Sequence, residues 1–505
     1  MFKANESDLQ IPSKKVLVKP LVNQDYTLTG SNNQVKFKLD PQSIPFFIAN
    51  RTMLKMNVKM LGDVPNYRPC SSAGAQSLIR NLRVTSNGQE LENVQEYNSL
   101  VAMKYARNKT DSLDSKRTLF EGQSRTTDNS QSLYCEAPDA LTVAGITANK
   151  DNYRLITVEL PLEAGLFDRD EVHCNALMPL DLTFNLENVR RACESISKVG
   201  ATVGTLATAL VSGTATTTIE VSTTFQNNVF VGDSITLTEG VNAKTFGPIS
   251  KIAADASPTT KMVLTVPSKD PEFSYTTAAV VTSDASSSTH RQVGVDVKLS
   301  DISLVVTTVQ PPMEYVRAVQ SAVGSATGLN IPVKTFELQR VNLTSATGLQ
   351  TINIPNQSYS KVLSTFSVPM DVATLQDLET DSLKGIYDDL QNYQYIYGDQ
   401  AVPNREVPTQ QYAGPRSRPA AIHQHELKKA LDNSHILCLD LHRIPATGFM
   451  VARAWSDRGS VSDLSRMPLS LNLDYASTAT KNKIVYNFIN TIRIMNVSES
   501  GIMRT

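Results

Sequence analysis

The chain has 505 residues, with 48 basic and 49 acidic side chains and a net charge of −1. It is long enough for two or three domains at ~150 residues each, and it has no overall field to draw it onto nucleic acid or anionic lipid. Cys70, Cys135, Cys174, Cys193 and Cys438 are odd in number and lack C-x-x-C or zinc-like spacing, which predicts free thiols in a reducing compartment. The opening MFKANESDLQIPSKK lacks the apolar centre of a signal peptide, and no run approaches the ~20 apolar residues of a membrane span. These features predict a soluble protein made in the cytosol.

Residues 1–30 are polar, with Lys14, Lys15 and Lys19 as a thin basic N-terminal arm; termini of this kind are commonly loose tails. From Val35 the alternation is regular. Val35, Phe37 and Leu39 share one face, and Leu54, Met56, Val58 and Met60 repeat the pattern of a half-buried strand. A strand over 78–84 leads to Asn87-Gly88, a dipeptide that tolerates the positive φ of a tight hairpin. Asn93 with Glu96 reads as a helix cap and its partner, ahead of Val94, Tyr97, Val101 and Tyr105 at helical spacing. Residues 107–150, rich in Ser, Thr, Asp and Asn, read as a long exposed loop. Strands return at Ile156, Val158, Leu160 and Leu162, and at Leu180, Leu182, Phe184 and Leu186 within MPLDLTFNLEN (178–188).

Between 194 and 291 the composition shifts to Thr, Ala, Ser, Val and Gly, with short strands predicted at 217–222, 229–238 and 261–267. This block reads as an insertion, a small barrel or sandwich, because the interrupted pattern resumes at Val295, Val297 and Leu299. Pro311-Pro312 is the boundary between halves. The second half has predicted strands at 333–340, 349–354, 361–368, 392–398 and 435–441. It also has helices near 374–390 and 419–431, the latter with Ser417 as cap and Pro419 in its first turn. MPLSLNLDY (467–475) then matches MPLDLTFNLEN of the first half, each one strand before the end of its half. The repeat predicts an all-β fold of two tandem β-sandwiches with short helices.

The stretch IRNLRVTSNGQELENVQEYN resembles the first jelly roll of double jelly-roll major capsid proteins, most of all those of polinton-like viruses, virophages and adintoviruses. ITVELPLEAGLF (156–167), MPLDLTF (178–184), IYGDQAVPNREVP (396–408), IHQHELKKAL (422–431) and HILCLDL (435–441) are similar to the same proteins, in the same order. The resemblance implies two jelly rolls, 31–310 and 313–505, the first interrupted by a 194–291 tower. It further implies a homotrimeric, pseudo-hexagonal capsomer that packs with neighbouring capsomers, penton and minor capsid proteins into an icosahedral shell, with an inner membrane as a further candidate partner. The virion is then the location, the host cytoplasm the place of synthesis, and sequence-specific nucleic-acid binding is not expected. The arm and the 107–150 loop are expected to stitch neighbouring chains.

No residue is assigned a catalytic, cofactor or metal role. Asp168, Asp170, Glu171, His173 and Cys174 in FDRDEVHC form the densest polar cluster, but carboxylates in a loop after a strand usually serve the turn itself. His423 and His425, two apart on a helix, lie about 200° apart and do not share a metal. Gly200 and Gly204 lack the Lys-Ser or Lys-Thr of a phosphate loop. Trp455 reads as a core or interface anchor. Two other functions fit a β-sandwich: a viral or surface spike or adhesin, and a carbohydrate-active enzyme. The enzyme would need paired carboxylates in an aromatic cleft, and 6% aromatics with one Trp fit that poorly.

Overall fold

A computed structural model describes residues 13–30, 33–61, 67–107, 121, 155–195, 202–222, 234–247, 249–254, 261–283, 296–325, 328–343, 345, 347–356, 358–375, 381–409, 420–431, 448–455, 461–498 and 501–504. The period-2 runs become strands because alternate side chains of an extended chain face opposite ways, and an apolar face needs a second sheet to cover it.

In the first half, one sheet has the order β3 (Gln34–Lys38), β11 (Asp181–Leu186), β7 (Ile79–Ser86) and β8 (Gln89–Val94). In the facing sheet β20 (Asp296–Val309) is central. β5 (Met53–Leu61) and then β9 (Leu155–Pro161) lie on one side, and β1 (Ser13–Val18) and β2 (Tyr26–Thr27) also pair with β20. β4 (Phe46–Ile48) and β10 (Val172–Cys174) add a short wing. Every pairing is antiparallel, and strands near the start of the chain flank the strand that ends the roll, as in a jelly roll. The β7–β8 hairpin turns on Asn87 and Gly88, at φ 49° and 81°, both in the left-handed region that such a turn requires.

The second half repeats this plan, with a matching four-stranded sheet and a facing sheet of five strands against the first half's seven. One sheet runs β21 (Leu329–Asn342), β28 (Lys483–Ser498), β23 (Val362–Asp371), β26 (Val451–Ala454), with β29 (Gly501–Arg504) against the end of β28. The other runs β22 (Gly348–Ile354), β27 (Leu469–Tyr475), β24 (Leu390–Tyr397), β25 (Gln400–Pro408). A helix fills the same place in each: α1 (Tyr97–Arg107) between β8 and β9, and α4 (Ala421–Ala430) between β25 and β26. The two MPL strands, β11 and β27, are equivalent central strands, each burying every second side chain.

After α2 (Val189–Ala192), β12 (Cys193–Ser195) pairs with β6 (Tyr67–Pro69), and the insert follows. Its strands are β13 (Thr202–Leu206), β14 (Thr216–Ser222), β15 (Ile235–Glu239), β16 (Asn242–Phe246), β17 (Lys251–Ala254), β18 (Lys261–Lys269) and β19 (Val280–Ser283). They form one seven-stranded sheet in the order β16-β15-β19-β13-β14-β18-β17, closed over its own core of Ile219, Leu237, Phe246, Leu264 and Val281.

Several expectations need correction. Residues 13–18, read as part of a loose arm, pair with Val309 to Leu304 of β20; Val16 and Val18 pack on the core, and sheet pairing outweighs the polar composition. Asn93 caps no helix. β8 runs to Val94, α1 begins at Tyr97, and Glu96 sits at φ 49°. The helix expected near 374–390 is replaced, among the described residues, by a single turn at Val372–Thr374 and by turns before β24. There Asp388 and Asp389 adopt φ 38° and 55°, which a helix does not accommodate. The linker helix α3 (Met313–Val323) was not predicted. The 435–441 strand, Ser417, Pro419, and the 107–150 loop apart from Arg107, which ends α1, and Glu121 lie outside the described residues.

Candidate assembly site and the seam between the rolls

One hydrophobic core runs through both rolls. Leu82, Tyr97 and Leu160 of the first belong to the same buried cluster as Val333, Phe366, Leu427 and Phe488 of the second. Over this apolar seam three buried carboxylates act as cross-ties.

Glu92, on β8, accepts hydrogen bonds from Gly165 N at 2.9 Å, Leu166 N at 3.1 Å and Thr335 Oγ1 of β21 at 2.8 Å. Burial pushes its carboxyl above the usual glutamate range against these bonds. Glu96 is fully buried and faces Arg191 at 2.6 Å, Arg340 of β21, and Arg80 at 3.6 Å. Asn188 positions Arg191: its Oδ1 accepts from Arg190 N at 2.9 Å and starts α2. The Arg191 and Arg340 guanidiniums both pack on Tyr486, 5.7 and 5.3 Å from the ring centroid, a cation–π arrangement. Asp381, from the second roll, accepts from Ser72 N at 2.9 Å, Ser72 Oγ at 3.0 Å and Ser71 Oγ at 3.2 Å. Burial opposes its charge, yet Lys384 and these donors hold its pKa below the usual carboxylate value.

Backbone contact is closest at Gly165, where a Cβ would lie 1.4 Å from the Lys334 carbonyl oxygen. The chain can pass β21 there only as glycine. Sequence reasoning missed this seam. Glu96 reads as capping chemistry, and nothing local sets Glu92 or Gly165 apart.

The polar cluster does not converge. Arg169 pairs with Glu171, Asp170 accepts from Asn50, and the His173 ring bonds through Nε2 to Met178 O at 2.9 Å. Burial lowers the His173 pKa to about 4, so its ring is neutral at neutral pH. With Tyr315 and Ala318 of α3 and Leu329 and Pro332 of β21, this stretch lines an apolar cavity of about 360 Å³. His423 is buried, stacked on Phe449 with ring centroids 5.6 Å apart, while His425 is exposed. Among the described residues no three His, Cys, Asp or Glu side chains converge on a metal position. Gly204 lies within β13; Gly200 lies outside the described residues. Trp455 donates to Thr365 and packs edge-on against Tyr395, ring centroids 5.8 Å apart, as an anchor of the second roll's core. Cys70 and Cys174 are free thiols.

Large apolar side chains stay exposed on the rolls at Leu17, Leu21, Val22, Met313, Leu349 and Met467. They lie on β1 and the loop after it, on α3, on β22 and before β27, outside the seam.

No family profile and no curated protein matches the sequence. Solved structures do match. The PBCV-1 VP54 structure fitted into a reconstruction of the virophage Sputnik is 9% identical with a TM-score of 0.51, and the match covers 100% of this chain and 99% of that one. The Faustovirus major capsid protein is 8% identical with a TM-score of 0.50, over 99% and 92% of the two chains. A chain of the Sputnik virophage structure is 9% identical with a TM-score of 0.50, over 100% and 93%. Strand order, repeat and these whole-length matches agree that the chain has the double jelly-roll fold of viral major capsid proteins.

Proposed function

We propose that this chain is a virion major capsid protein whose role is assembly, with three copies forming a pseudo-hexagonal capsomer and capsomers tiling an icosahedral shell. The observation that carries the reading is the repeat of one roll's plan in the other, with four-stranded sheets of equivalent order and a long last main strand inside each facing sheet. Two like rolls fused along a shared core give each chain two like outer faces, so three chains around a closed rotational axis present six. The domains in this reading are 13–309, interrupted by the insert, and 313–505. The polar groups of FDRDEVHC and the His423 ring are engaged in local packing, which favours a structural role over a catalytic one.

The exposed apolar side chains on β1, α3 and β22 are candidates for the extensive trimer contacts, while smaller and more polar contacts between trimers allow misplaced units to leave. Light scattering of the purified protein tests the reading, with a species near three times 55.3 kDa expected and a hexagonal outline in particle images. A compact species that stays monomeric at high concentration overturns it.

A further inference from the structure

Among the described residues of the insert, four large apolar side chains are exposed: Val211, Val241, Phe273 and Val280. The pairing register places all four at one end. The described sheet is entered at Thr202 and left at Ser283, and Thr202 pairs with Thr282, so this side is the root. From the root β13 runs out to Leu206 and β15 to Glu239, and at the far side Thr216 pairs with Lys269. The connections 207–215, 240–241 and 270–279 therefore form the distal end, and Val280 opens the strand that returns from it.

These loops are tied into one platform. Leu210 and Tyr275 exchange two backbone hydrogen bonds of 2.9 Å, Ser212 Oγ donates to Glu272 O at 3.0 Å, and Thr276 N donates to Glu239 at 2.7 Å. Val241 is 100% exposed, at the second position of a two-residue turn whose first, Gly240, has φ 61°. Val211 is 63% exposed and Phe273 40%. Such positions are ordinarily polar, and apolar groups collected there mark an interaction surface.

The surrounding chemistry narrows the partner. Exposed Ser212, Thr214, Ser274 and Thr277 supply hydroxyls around the apolar groups. The carboxylates at this end are exposed but engaged by local partners: Asp270 accepts from Gly213 N at 3.1 Å, Glu239 from Thr276, and Glu272 pairs with Lys244. Lys269 donates to Thr245 O at 2.8 Å, so among the described residues of this end no cluster of cations faces outward to select an anionic surface.

We propose that the distal end of the insert docks on a zwitterionic lipid bilayer, with Val211, Val241 and Phe273 entering the headgroup and upper acyl layer. Apolar side chains on the tips of separate convex loops enter a fluid interface without a matching cavity, and the hydroxyl ring stays at headgroup level. Each tip binds shallowly, so the interaction gains strength where several copies act together. The inference does not depend on capsomer formation, because insertion is read on single chains.

The test uses the full chain with phosphatidylcholine vesicles. In Phe273→Trp, vesicles are expected to shift the added emission to shorter wavelength, and brominated acyl chains to quench it. The parent chain, whose Trp455 lies in the second roll, should show neither change. The combined Val211→Ser, Val241→Ser and Phe273→Ser variant should lose co-flotation with the vesicles while keeping the parent unfolding midpoint. Four results overturn the proposal: no spectral change with phosphatidylcholine; co-flotation undiminished in the triple variant; binding only to phosphatidylserine vesicles; or the same spectral shift on raising protein concentration without lipid, which makes the surface a contact between copies.

Discussion

Gly165→Ala is the sharpest probe of the seam. The glycine has no positive φ, so its backbone accepts alanine and the effect is contact alone. The new Cβ would sit 1.4 Å from Lys334 O and 3.1 Å from Val333 Cγ1. A carbon needs roughly 3.3 Å from a carbonyl oxygen, so the first roll's loop must part from β21 by about 2 Å. That separation stretches the Glu92 bonds to Gly165, Leu166 and Thr335. Each buried partner left unmade costs about 1–3 kcal/mol, and the overpacking itself costs about 1–3 kcal/mol. The expected loss is at least about 4 kcal/mol, a large share of a stability of about 5–15 kcal/mol. Guanidinium unfolding of the purified chain measures it. Gly88→Ala is the control, since Gly88 has φ 81° with nothing near its missing Cβ, and αL strain alone costs about 1–2 kcal/mol. If Gly165→Ala loses no more than Gly88→Ala, the rolls do not meet as described.

Glu96→Gln leaves buried Arg191 with only the more distant Glu187 carboxylate, 3.7 Å away, and should cost about 3 kcal/mol; a double-mutant cycle with Arg340→Ala should show strong coupling, and additive losses would contradict the shared tie. His173 titrates near 6.5 when unfolded and about 4 when folded, so the unfolded chain binds the extra proton between these values. Stability is then intact above pH 6.5 and falls by about 3 kcal/mol toward pH 4. Calorimetry of His173→Phe should show that part of the acid loss gone, and an unchanged pH slope would refute the assignment. Replacing 202–283 with a short Gly-Ser linker should leave the unfolding of the rolls intact, because the insert has its own core and its ends are paired neighbours. Failure to recover soluble chain would count against that independence.

Alternation of apolar and polar residues made the strands legible in the sequence. Leu180 to Leu186 and Leu469 to Tyr475 announce central strands because both their faces are specified within seven residues, and Asn87-Gly88 announces its turn by local φ. The seam was illegible because its groups come from distant parts of the chain. Nothing near Glu96 says that Arg340 will lie beside it, and the glycine at 165 is explained only by a strand 169 residues later. The predicted helix at 374–390 rested on leucines alone, while Asp381 and Asp388 were claimed by partners elsewhere.

The placement of β20 and β28 bears on how the chain is made. Each is the longest-reaching strand of its roll and lies centrally in its sheet, yet each is the last main strand of that roll to be synthesised. Until residue 309 has left the ribosome, β1 and β5 have no common neighbour, and until 498 the same holds for β21 and β23. Nascent chains therefore carry open strand edges through most of translation, the state in which β proteins mispair. The insert, complete by residue 283, can close first and stand as a folded bead beside an unfinished sheet, and chain completion rather than local propensity then sets when each roll becomes safe from aggregation.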